Sequence, residues 1–272
     1  MLRPRIIPCL LIRNKGLVKT ILFKDDRYIG DPINTVKIFN EKHVDELIAI
    51  DIDASVKNCE PDYAMIANLA RECRMPLCYG GGIKTVEQAL KIIGLGVEKV
   101  AISSAAIQNP SLIEKLAKEI GTQSVVVVLD VKKKFLARSY ETYLLNGKKA
   151  SGYDPADLAE EMEKRGAGEI VVNSIDHDGA MRGYDLELAS LIRDRISLPL
   201  TILGGAGSLR DIENLIMKFG IIGAAAGSLF IYKGPTRGVL INYPKPEEKD
   251  AIVSRSLGRF ADSGFGISSV SV

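Results

Sequence analysis

The feature that most constrains how this chain can fold is an internal repetition of its glycine-rich segments. The runs Tyr-Gly-Gly-Gly and Leu-Gly-Gly-Ala-Gly-Ser place Gly80 and Gly204 at a spacing of 124 residues. Ser104 and Ser228, which follow the next apolar run in each case, have the same spacing of 124 residues. Self-similarity at a fixed spacing is typical of repeated structural units. The repetition therefore indicates two related halves, each carrying a glycine-rich turn.

Two upstream segments repeat in the same order. Residues 46–53 align with residues 169–176 at an offset of 123, and residues 6–11 align with residues 125–130 at an offset of 119. Backbone N–H groups converge where a glycine-rich turn leads into a helix, and such a turn suits an anion, typically a phosphate. We therefore expect a doubled half-structure with two related anion sites.

Strand-like apolar runs alternate with helix-period segments along the chain, a pattern typical of a parallel sheet with crossover helices. The eight predicted strands are residues 5–11, 46–52, 76–79, 99–102, 124–130, 169–173, 198–203 and 220–226. Eight strands in two halves favour a closed α/β fold, the (β/α)₈ TIM barrel with a two-fold half-barrel repeat, over an open doubly wound sheet. We assign residues 1–244 to this barrel and residues 245–272 to a partly mobile C-terminal extension.

Local signals mark several element boundaries. Asp31, directly before a proline, predicts a helix start, and Pro155 predicts the start of another. Asn109 is a candidate N-cap for a helix that opens at the next residue. Residues 146–147, Asn-Gly between two β-rich stretches, predict a hairpin. A further hairpin is expected at residues 18–23, after the first strand.

Composition excludes several classes of protein. The 272 residues carry a net charge of only +2, too small a field to indicate a nucleic-acid partner. No apolar run is long enough to cross a bilayer, so no membrane association is expected. The four cysteines show no CxxC spacing and only two histidines are present. We therefore expect a soluble cytoplasmic domain with no metal, no disulfide and no cofactor.

Active sites of (β/α)₈ barrels lie at the C-terminal ends of the strands. Asp130 ends an unbroken apolar strand there, where loss of hydration raises a carboxyl pKa and suits it to general acid–base chemistry. The alternative is an aspartate that caps the following loop. Asp51 and Asp53, like Asp176 and Asp178, stand two residues apart near a strand end. In each pair we expect one carboxylate to face the pocket and the other to stabilise a loop, and the pattern leaves open which of the two has each role.

The starts of the strands are also patterned. Arg5, Glu46, Lys99 and Glu169 each stand at the first position of a predicted strand. Such residues either form salt bridges that close the barrel floor or form a charged gate at the mouth of a passage through the barrel.

The chain resembles the cyclase subunit of imidazole glycerol phosphate synthase over roughly its first 230 residues. The segments that carry the resemblance are residues 5–10 (RIIPCL), 30–32 (GDP), 45–47 (DEL), 79–83 (YGGGI), 98–100 (EKV), 166–170 (GAGEI), 174–176 (SID), 178–179 (DG), 183–185 (GYD) and 204–207 (GGAG). That family is a half-barrel duplication, in agreement with the offsets above.

The resemblance implies a lyase- or cyclase-type synthase subunit of a glutamine amidotransferase. A glutaminase partner would dock at the N-terminal face, near Asp45 and Glu98, and ammonia would pass through the barrel to a small phosphorylated or nucleotide-linked substrate. By matching, Asp130 is one catalytic aspartate, and Arg5, Glu46, Lys99 and Glu169 are the ammonia gate. The implied substrate and phosphate contacts are Gly82, Ser103, Ser104, Asp178, Gly179, Gly205, Gly207, Gly227 and Ser228.

Three top-face positions depart from the family pattern. Leu11 stands where the family has its other catalytic aspartate, so the division of labour between two carboxylates is broken. Residues 103–104 replace an Asn-Thr pair, and Leu203 replaces a small polar residue. The four gate residues are unchanged. This asymmetry indicates a retained ammonia route and a changed substrate.

The pattern looks like that of sugar-amidating paralogues encoded with surface-polysaccharide genes, and residues 233–234 and 237–244 resemble the C-terminal part of those proteins. We therefore expect a nucleotide-linked acetamido sugar as substrate and an ATP-dependent sugar amidotransferase that completes an acetamidino group for a lipopolysaccharide O-antigen. One alternative is a genuine cyclase of histidine biosynthesis that converts PRFAR and ammonia to imidazole glycerol phosphate and AICAR. Another is a non-catalytic scaffold that only conducts ammonia.

Overall fold

A computed structural model describes residues 3–134, 139–234 and 236–262 of the chain. Within these ranges the strands, β1 to β14 in chain order, are Arg5–Arg13, Gly16–Ile21, Lys24–Gly30, Leu47–Asp51, Leu77–Gly80, Lys99–Ile102, Val125–Lys133, Tyr140–Leu144, Lys149–Ala150, Glu169–Ser174, Leu200–Leu203, Gly223–Ala226, Tyr232–Lys233 and Gly238–Val239.

The α-helices, α1 to α10, are Pro32–Glu41, Tyr63–Glu72, Val86–Gly94, Ser104–Gln108, Ser111–Ile120, Pro155–Lys164, Leu186–Arg193, Leu209–Phe219, Ser228–Ile231 and Pro246–Asp262. Across the described ranges, none of these helices combines the length and the apolar character needed to cross a membrane.

Eight parallel strands close into a barrel. Their order around it is β1, β4, β5, β6, β7, β10, β11 and β12, and β12 pairs with β1 to complete the ring. Helices connect successive strands on the outside. The predicted (β/α)₈ barrel is therefore confirmed, and the open doubly wound sheet is excluded because a closed ring has no edge strand.

The strand registers relate the two halves of the barrel residue by residue. In the first half β1 pairs with β4 so that Leu11 lies beside Ile50, and in the second half β7 pairs with β10 so that Asp130 lies beside Asn173. Leu11 therefore occupies the position that Asp130 holds in the other half. Each half also carries an antiparallel hairpin after its first strand, β2–β3 in one and β8–β9 in the other.

The register corrects the alignment of the glycine loops by one residue. Gly80 is still a strand residue beside Ile50, and its counterpart beside Asn173 is Leu203. The turns themselves begin one residue later, at Gly81 (φ +127°) and Gly204 (φ +95°). The spacing of these turns is 123 residues, because positive φ, which favours glycine, is required only after the strand has ended.

Most local signals are confirmed. The Asp31 carboxylate accepts a hydrogen bond from the backbone of Asn34 at 2.7 Å, and Pro155 opens α6. Residues 145–147 have positive φ and form the turn between β8 and β9. Asn109 is not an N-cap, because the short helix α4 ends at it and α5 begins at Ser111.

The core has two parts that the barrel wall separates. The larger part lies between the strands and the helices. The smaller part fills the barrel interior with Ile7, Cys9, Ile48, Cys78, Ala101, Val126, Val128, Val171, Leu203 and Ala225. Side chains of alternate strand residues point to opposite faces, so each strand contributes to both parts.

Helix α10 packs into the outer ring. The Tyr243 hydroxyl, just before it, donates to Ile6 O at 2.9 Å, and Lys249 Nζ lies 2.6 Å from Asp45 at the barrel floor. Ile252 is buried, and the Phe260 ring lies against Gly220 at the end of α8. We propose that the barrel domain extends to residue 262, beyond the expected boundary at 244. The rest of the expected extension, residues 263–272, lies outside the described residues.

If α10 is part of the barrel core, Ile252→Ala will lower the global free energy of unfolding by about 2–5 kcal/mol, the cost of removing a buried aliphatic side chain. Urea unfolding followed by circular dichroism measures this. Ile221→Ala is the matched control, because Ile221 is 47% exposed and its loss should cost less than about 0.5 kcal/mol. Equal effects of the two substitutions would contradict an integral α10.

Candidate active site

The four charged residues at the strand starts come together at the barrel floor. Lys99 Nζ lies 2.8 Å from Glu46 Oε1 and 2.8 Å from Glu169 Oε2. Arg5 pairs with the same two carboxylates, at 2.7 Å in the case of Glu169. The Thr201 hydroxyl donates to Glu169 Oε1 at 2.6 Å. Cations and anions thus alternate in a ring that spans the floor.

Burial and charge oppose each other in this ring. Glu46 and Glu169 are each only 4% exposed. Burial alone would raise the pKa of Glu169, but the charges of Arg5 and Lys99 and their hydrogen bonds outweigh it and lower that pKa. The same pairing raises the pKa of Lys99 against the effect of burial. Glu169 and Lys99 are therefore ionised at neutral pH.

The two carboxylates expected near a glutaminase are used by the chain itself. Asp45 pairs with Arg3 at 3.0 Å and with Lys249 on α10, and it accepts from Ile6 N at 2.9 Å. Glu98 Oε2 accepts from Leu77 N at 2.7 Å. Both therefore brace strand starts at the floor, and their contact with a partner stays a prediction.

A cavity that is partly open to solvent lies at the opposite end of the barrel, where the strands end. The predicted site residues that line it are Gly82, Ser103, Ser104, Asp130, Asp178, Gly179, Gly205, Gly227 and Ser228. The two glycine turns thus face one cavity, and the barrel interior separates them from the charged floor.

Gly207 is the predicted contact that does not line this cavity. Its N–H donates to Asp211 Oδ2 at 2.9 Å, and Ser208 N donates to the same oxygen at 2.9 Å. The carboxylate of Asp211 thus takes the place that an anion would have at the start of α8. A role for Gly207 in phosphate binding stays a prediction.

Asp130 is the buried carboxylate of the cavity, 9% exposed. Asn173 Nδ2 donates to its Oδ1 at 3.0 Å. Burial raises the pKa of Asp130 to about 7, against that hydrogen bond and with a contribution from the negative charge of Asp178. A carboxyl group with this pKa is present in both protonation states near neutral pH, as general acid–base chemistry requires.

The opposite side of the cavity floor is apolar. Leu11, Ile50 and Leu203 line it at the ends of β1, β4 and β11. Ser103, Asp130 and Asn173 occupy the adjoining strand ends β6, β7 and β10, so polar and apolar side chains form two separate arcs. Asp130 in the second half of the barrel can therefore transfer a proton, whereas Leu11, which holds the equivalent position in the first half, cannot.

The structure shows which member of each aspartate pair lines the cavity. Asp51 lines the cavity but accepts hydrogen bonds from the backbone of Asp53 at 2.9 Å and of Ala54 at 3.0 Å. Asp53 pairs with Arg13 outside the cavity, at 3.0 Å. Burial raises the pKa of Asp51, against its two backbone hydrogen bonds. Its carboxylate shapes the turn after β4.

Asp178 binds the hairpin β2–β3. Its Oδ2 accepts from the Thr20 hydroxyl at 2.6 Å and from Phe23 N at 3.0 Å. A Cβ at Gly179 would meet Thr20 O at 2.2 Å, so only glycine permits this contact. Asp176 instead accepts from Lys133 N, outside the cavity. The loop after β10 therefore fixes the hairpin over the cavity.

Lys19 is a cavity residue that sequence reasoning missed. It lies on β2, 4% exposed, and its Nζ donates to Cys9 O at 2.6 Å. A Cβ at Gly227 would come within 2.4 Å of the same Nζ, so the amine lies beside the second predicted phosphate loop. Burial lowers the pKa of Lys19. A lysine in the middle of an otherwise apolar hairpin strand was the signal that could have found it.

The two serines after β6 differ in their partners. Ser104 Oγ accepts from Leu145 N at 2.9 Å, which ties the hairpin β8–β9 to the cavity rim. Ser103 Oγ is buried and has no hydrogen-bond partner among the described residues. A buried hydroxyl without a partner is costly, so Ser103 is available to a ligand.

These features define a class of protein: a duplicated (β/α)₈ barrel with an ion-paired floor and an upper cavity in which glycine turns surround the buried carboxylate of Asp130. Residues 5–236 match the histidine biosynthesis protein family, and the chain belongs to that family.

Its relatives include imidazole glycerol phosphate synthase subunits. It is 57% identical over 252 residues to a putative subunit HisF from Leptospira borgpetersenii, which spans 93% of this chain and 99% of that one. It is 54% identical over 249 residues to a putative subunit hisF3 from Vibrio vulnificus, spanning 92% and 96%. It is 41% identical over 232 residues to subunit HisF from Lactococcus lactis, spanning 85% and 90%.

Asp130 should make stability depend on pH. Its folded-state pKa of about 7 lies above the ordinary value of 3.8, so the folded state holds the proton more tightly, and this stabilisation is lost as the pH rises towards 7. Asp130→Asn removes the effect. Its unfolding free energy relative to the native chain should be roughly 2–3 kcal/mol higher at pH 8 than at pH 5.

Urea unfolding of both proteins at pH 5 and pH 8 measures this difference. Asp157→Asn, an exposed carboxylate on α6, is the control and should show a much smaller pH dependence. A pH-independent difference between Asp130→Asn and the native chain would mean that Asp130 has an ordinary pKa.

Proposed function

We propose that this chain is the cyclase subunit of an imidazole glycerol phosphate synthase, which joins ammonia to a substrate held by two phosphates. The observation that carries the proposal is the placement of two predicted sites at opposite ends of one interior. An ion-paired floor lies at one end, and a cavity with two glycine turns and Asp130 lies at the other. Three relatives that cover most of the chain bear this name.

In the proposed reaction Asp130 transfers a proton to or from the substrate, since its pKa of about 7 lets it act as acid or base. Gly82, Gly205 and Gly227 offer backbone N–H groups to the phosphates, as glycine loops of (β/α)₈ barrels do. Lys19 Nζ beside Gly227 adds a positive charge there. The hairpin that Asp178 holds contributes Lys19, Thr20 and Phe23 to the cavity wall.

The proposed partner is a glutaminase that docks at the N-terminal face. Ammonia released there would meet the ring of Arg5, Glu46, Lys99 and Glu169 first. Opening of the ring requires that at least one cation leaves its two carboxylates. The ring would therefore act as a gate whose open state the docked partner stabilises.

A second candidate is ammonia transfer in the amidation of a nucleotide-linked acetamido sugar, followed by an ATP-dependent sugar amidotransferase. The observation that favours it is the apolar arc of Leu11, Ile50 and Leu203. A two-carboxylate mechanism lacks its second acid–base group at position 11, so a different substrate or a conducting role without chemistry is the natural alternative.

Restoring a carboxylate at position 11 separates these candidates. If the cavity still binds the substrate of the histidine pathway, Leu11→Asp should raise cyclase activity by about 10²- to 10⁴-fold, the usual contribution of one positioned acid–base group. The measurement is growth of a cyclase-deficient histidine auxotroph, together with product formation from substrate and ammonium chloride.

Leu11→Asn is the matched control, because it has similar polarity and size but cannot transfer a proton at neutral pH. Activity of the native chain or of Leu11→Asp alone supports the histidine-pathway proposal. Inactivity of all three proteins with that substrate, combined with turnover of an acetamido sugar when the amidotransferase is added, would favour the second candidate.

If the ring acts as a gate, a substitution in the ring should affect product formation from glutamine and product formation from ammonium differently. Lys99→Met leaves Glu46 and Glu169 with Arg5 alone, so the floor must rearrange. We expect glutamine-dependent product formation to fall several-fold and ammonium-dependent formation, in which nitrogen enters from solution, to change little. The comparison needs the complex with the glutaminase.

Lys118→Met, on the exposed side of α5, is the control and should alter neither rate. Equal loss with both nitrogen sources would indicate general damage to the cavity, and unchanged glutamine dependence would remove Lys99 from the ammonia route.

A further inference from the structure

Asn173 is a buried polar residue that has no role in the reaction proposed for this cavity. It lies at the cavity end of β10, and its Nδ2 donates to Asp130 Oδ1 at 3.0 Å. This bond sets the orientation of the carboxamide, so that Oδ1 points away from Asp130. The oxygen is buried and has no hydrogen-bond partner in the described part of the chain. It lies beside Gly204, where a Cβ would come within 3.3 Å of it.

Asn173 also ends a line of side chains that starts at the charged floor. On β10 the residues that face the interior are Glu169, Val171 and Asn173, while Ile170 and Val172 face the helices. Four residues of strand span about 13 Å. This line therefore reaches from a carboxylate of the ring to the cavity, with one valine between.

The interior between these two ends offers ammonia almost no hydrogen bonds. The inner side chains at intermediate height are Ile7, Ile48, Cys78, Ala101, Val126, Val128, Val171 and Ala225. A polar molecule that leaves the floor gives up its hydrogen bonds until it meets the next acceptor. Along β7 and β10 that acceptor is the pair Asp130 and Asn173, which the register sets side by side.

We propose that Asn173 Oδ1 and the second carboxylate oxygen of Asp130 form a docking pair for ammonia at the point where the barrel interior opens into the cavity. The inference rests on the proposed function, and it assigns Asn173 as an ammonia-binding residue. Both atoms accept hydrogen bonds, so they hold ammonia through two N–H groups. The nitrogen lone pair remains free to attack a substrate above.

The other half of the barrel has no equivalent pair. The positions related to Asp130 and Asn173 are Leu11 and Ile50, which cannot accept a hydrogen bond. Ammonia would therefore be held on the β7–β10 side only. The orientation of the substrate follows from this. Its electrophilic carbon lies towards Asp130, and the part of the substrate that does not react contacts the apolar arc.

Binding of ammonium to the chain alone tests the docking pair without any substrate. The ¹³C resonance of the Asp130 carboxylate, assigned with Asp130→Asn, is followed during titration with ammonium chloride at pH 9, where the carboxylate is ionised. Tetramethylammonium chloride at equal ionic strength is the reference, since it carries the charge but no N–H donor. We expect a saturable shift with ammonium only, and an apparent Kd about tenfold higher in Asn173→Leu.

Two further variants provide a substitute for Asn173→Leu and a control. Asn173→Val suits a strand, also lacks an acceptor, and replaces Asn173→Leu if the latter does not fold. Asn34→Val, at an exposed position on α1 away from the cavity, removes the same carboxamide and should retain the native response. An unchanged Kd in both Asn173 variants, or an equal shift with tetramethylammonium, would overturn the proposal.

A kinetic arm separates this inference from the proposed function. In ammonium-dependent synthesis, Asn173→Val should raise the KM for ammonium about tenfold and leave the KM for the phosphorylated substrate unchanged. Product formation with no dependence of either KM or Kd on Asn173 would reject the docking pair alone. Saturable ammonium binding that requires Asn173, without turnover of the phosphorylated substrate, would support the pair and reject the proposed function.

Discussion

A closed parallel barrel forces alternate side chains of every strand into one shared interior, and the two ends of that interior have opposite characters. At the floor, the half-buried Arg5 and Lys99 neutralise the buried Glu46 and Glu169, so neither carboxylate is left unpaired. Between the ends the side chains are aliphatic or thiol-bearing. An apolar interior therefore separates the upper cavity from the floor, and every proposed role depends on this arrangement.

The duplication places equivalent strand ends of the two halves around one cavity, and the residues that differ between these strand ends determine its chemistry. Both halves have the same strands, the same hairpin after the first strand and a glycine turn after the third. Among the equivalent positions that differ, one pair lies at the cavity, where Asp130 and Asn173 in one half correspond to Leu11 and Ile50 in the other. Burial acts on both pairs, but only a carboxylate responds to it by a raised pKa. At this pair of positions, the capacity to transfer a proton is thus present in one half of the barrel and absent from the other.

The hairpin β2–β3 shows how the loops complete the site. Asp178 binds Thr20 and Phe23, and Gly179 allows the close approach that this requires. The same hairpin brings Lys19 into the cavity beside Gly227. Two residues expected to bind substrate therefore also fix the loop that contributes the buried amine, and the cavity is assembled from both halves of the chain.

The sequence by itself determined the barrel, the two-fold repeat, the strand-start charges and the place of Asp130, because strand periodicity and repeat spacing are properties of the linear chain. It also located the glycine turns to within one residue, since only backbone conformation distinguishes Gly80 in the strand from Gly81 in the turn. The contacts of Lys19, Asp178, Gly207 and Asn173 were decided by tertiary structure alone. Each depends on a partner more than 30 residues away or on a capping carboxylate that competes for the same N–H. Periodicity along a strand predicts which face of the sheet a side chain occupies. The residues that this side chain contacts depend on how the strands close into a barrel.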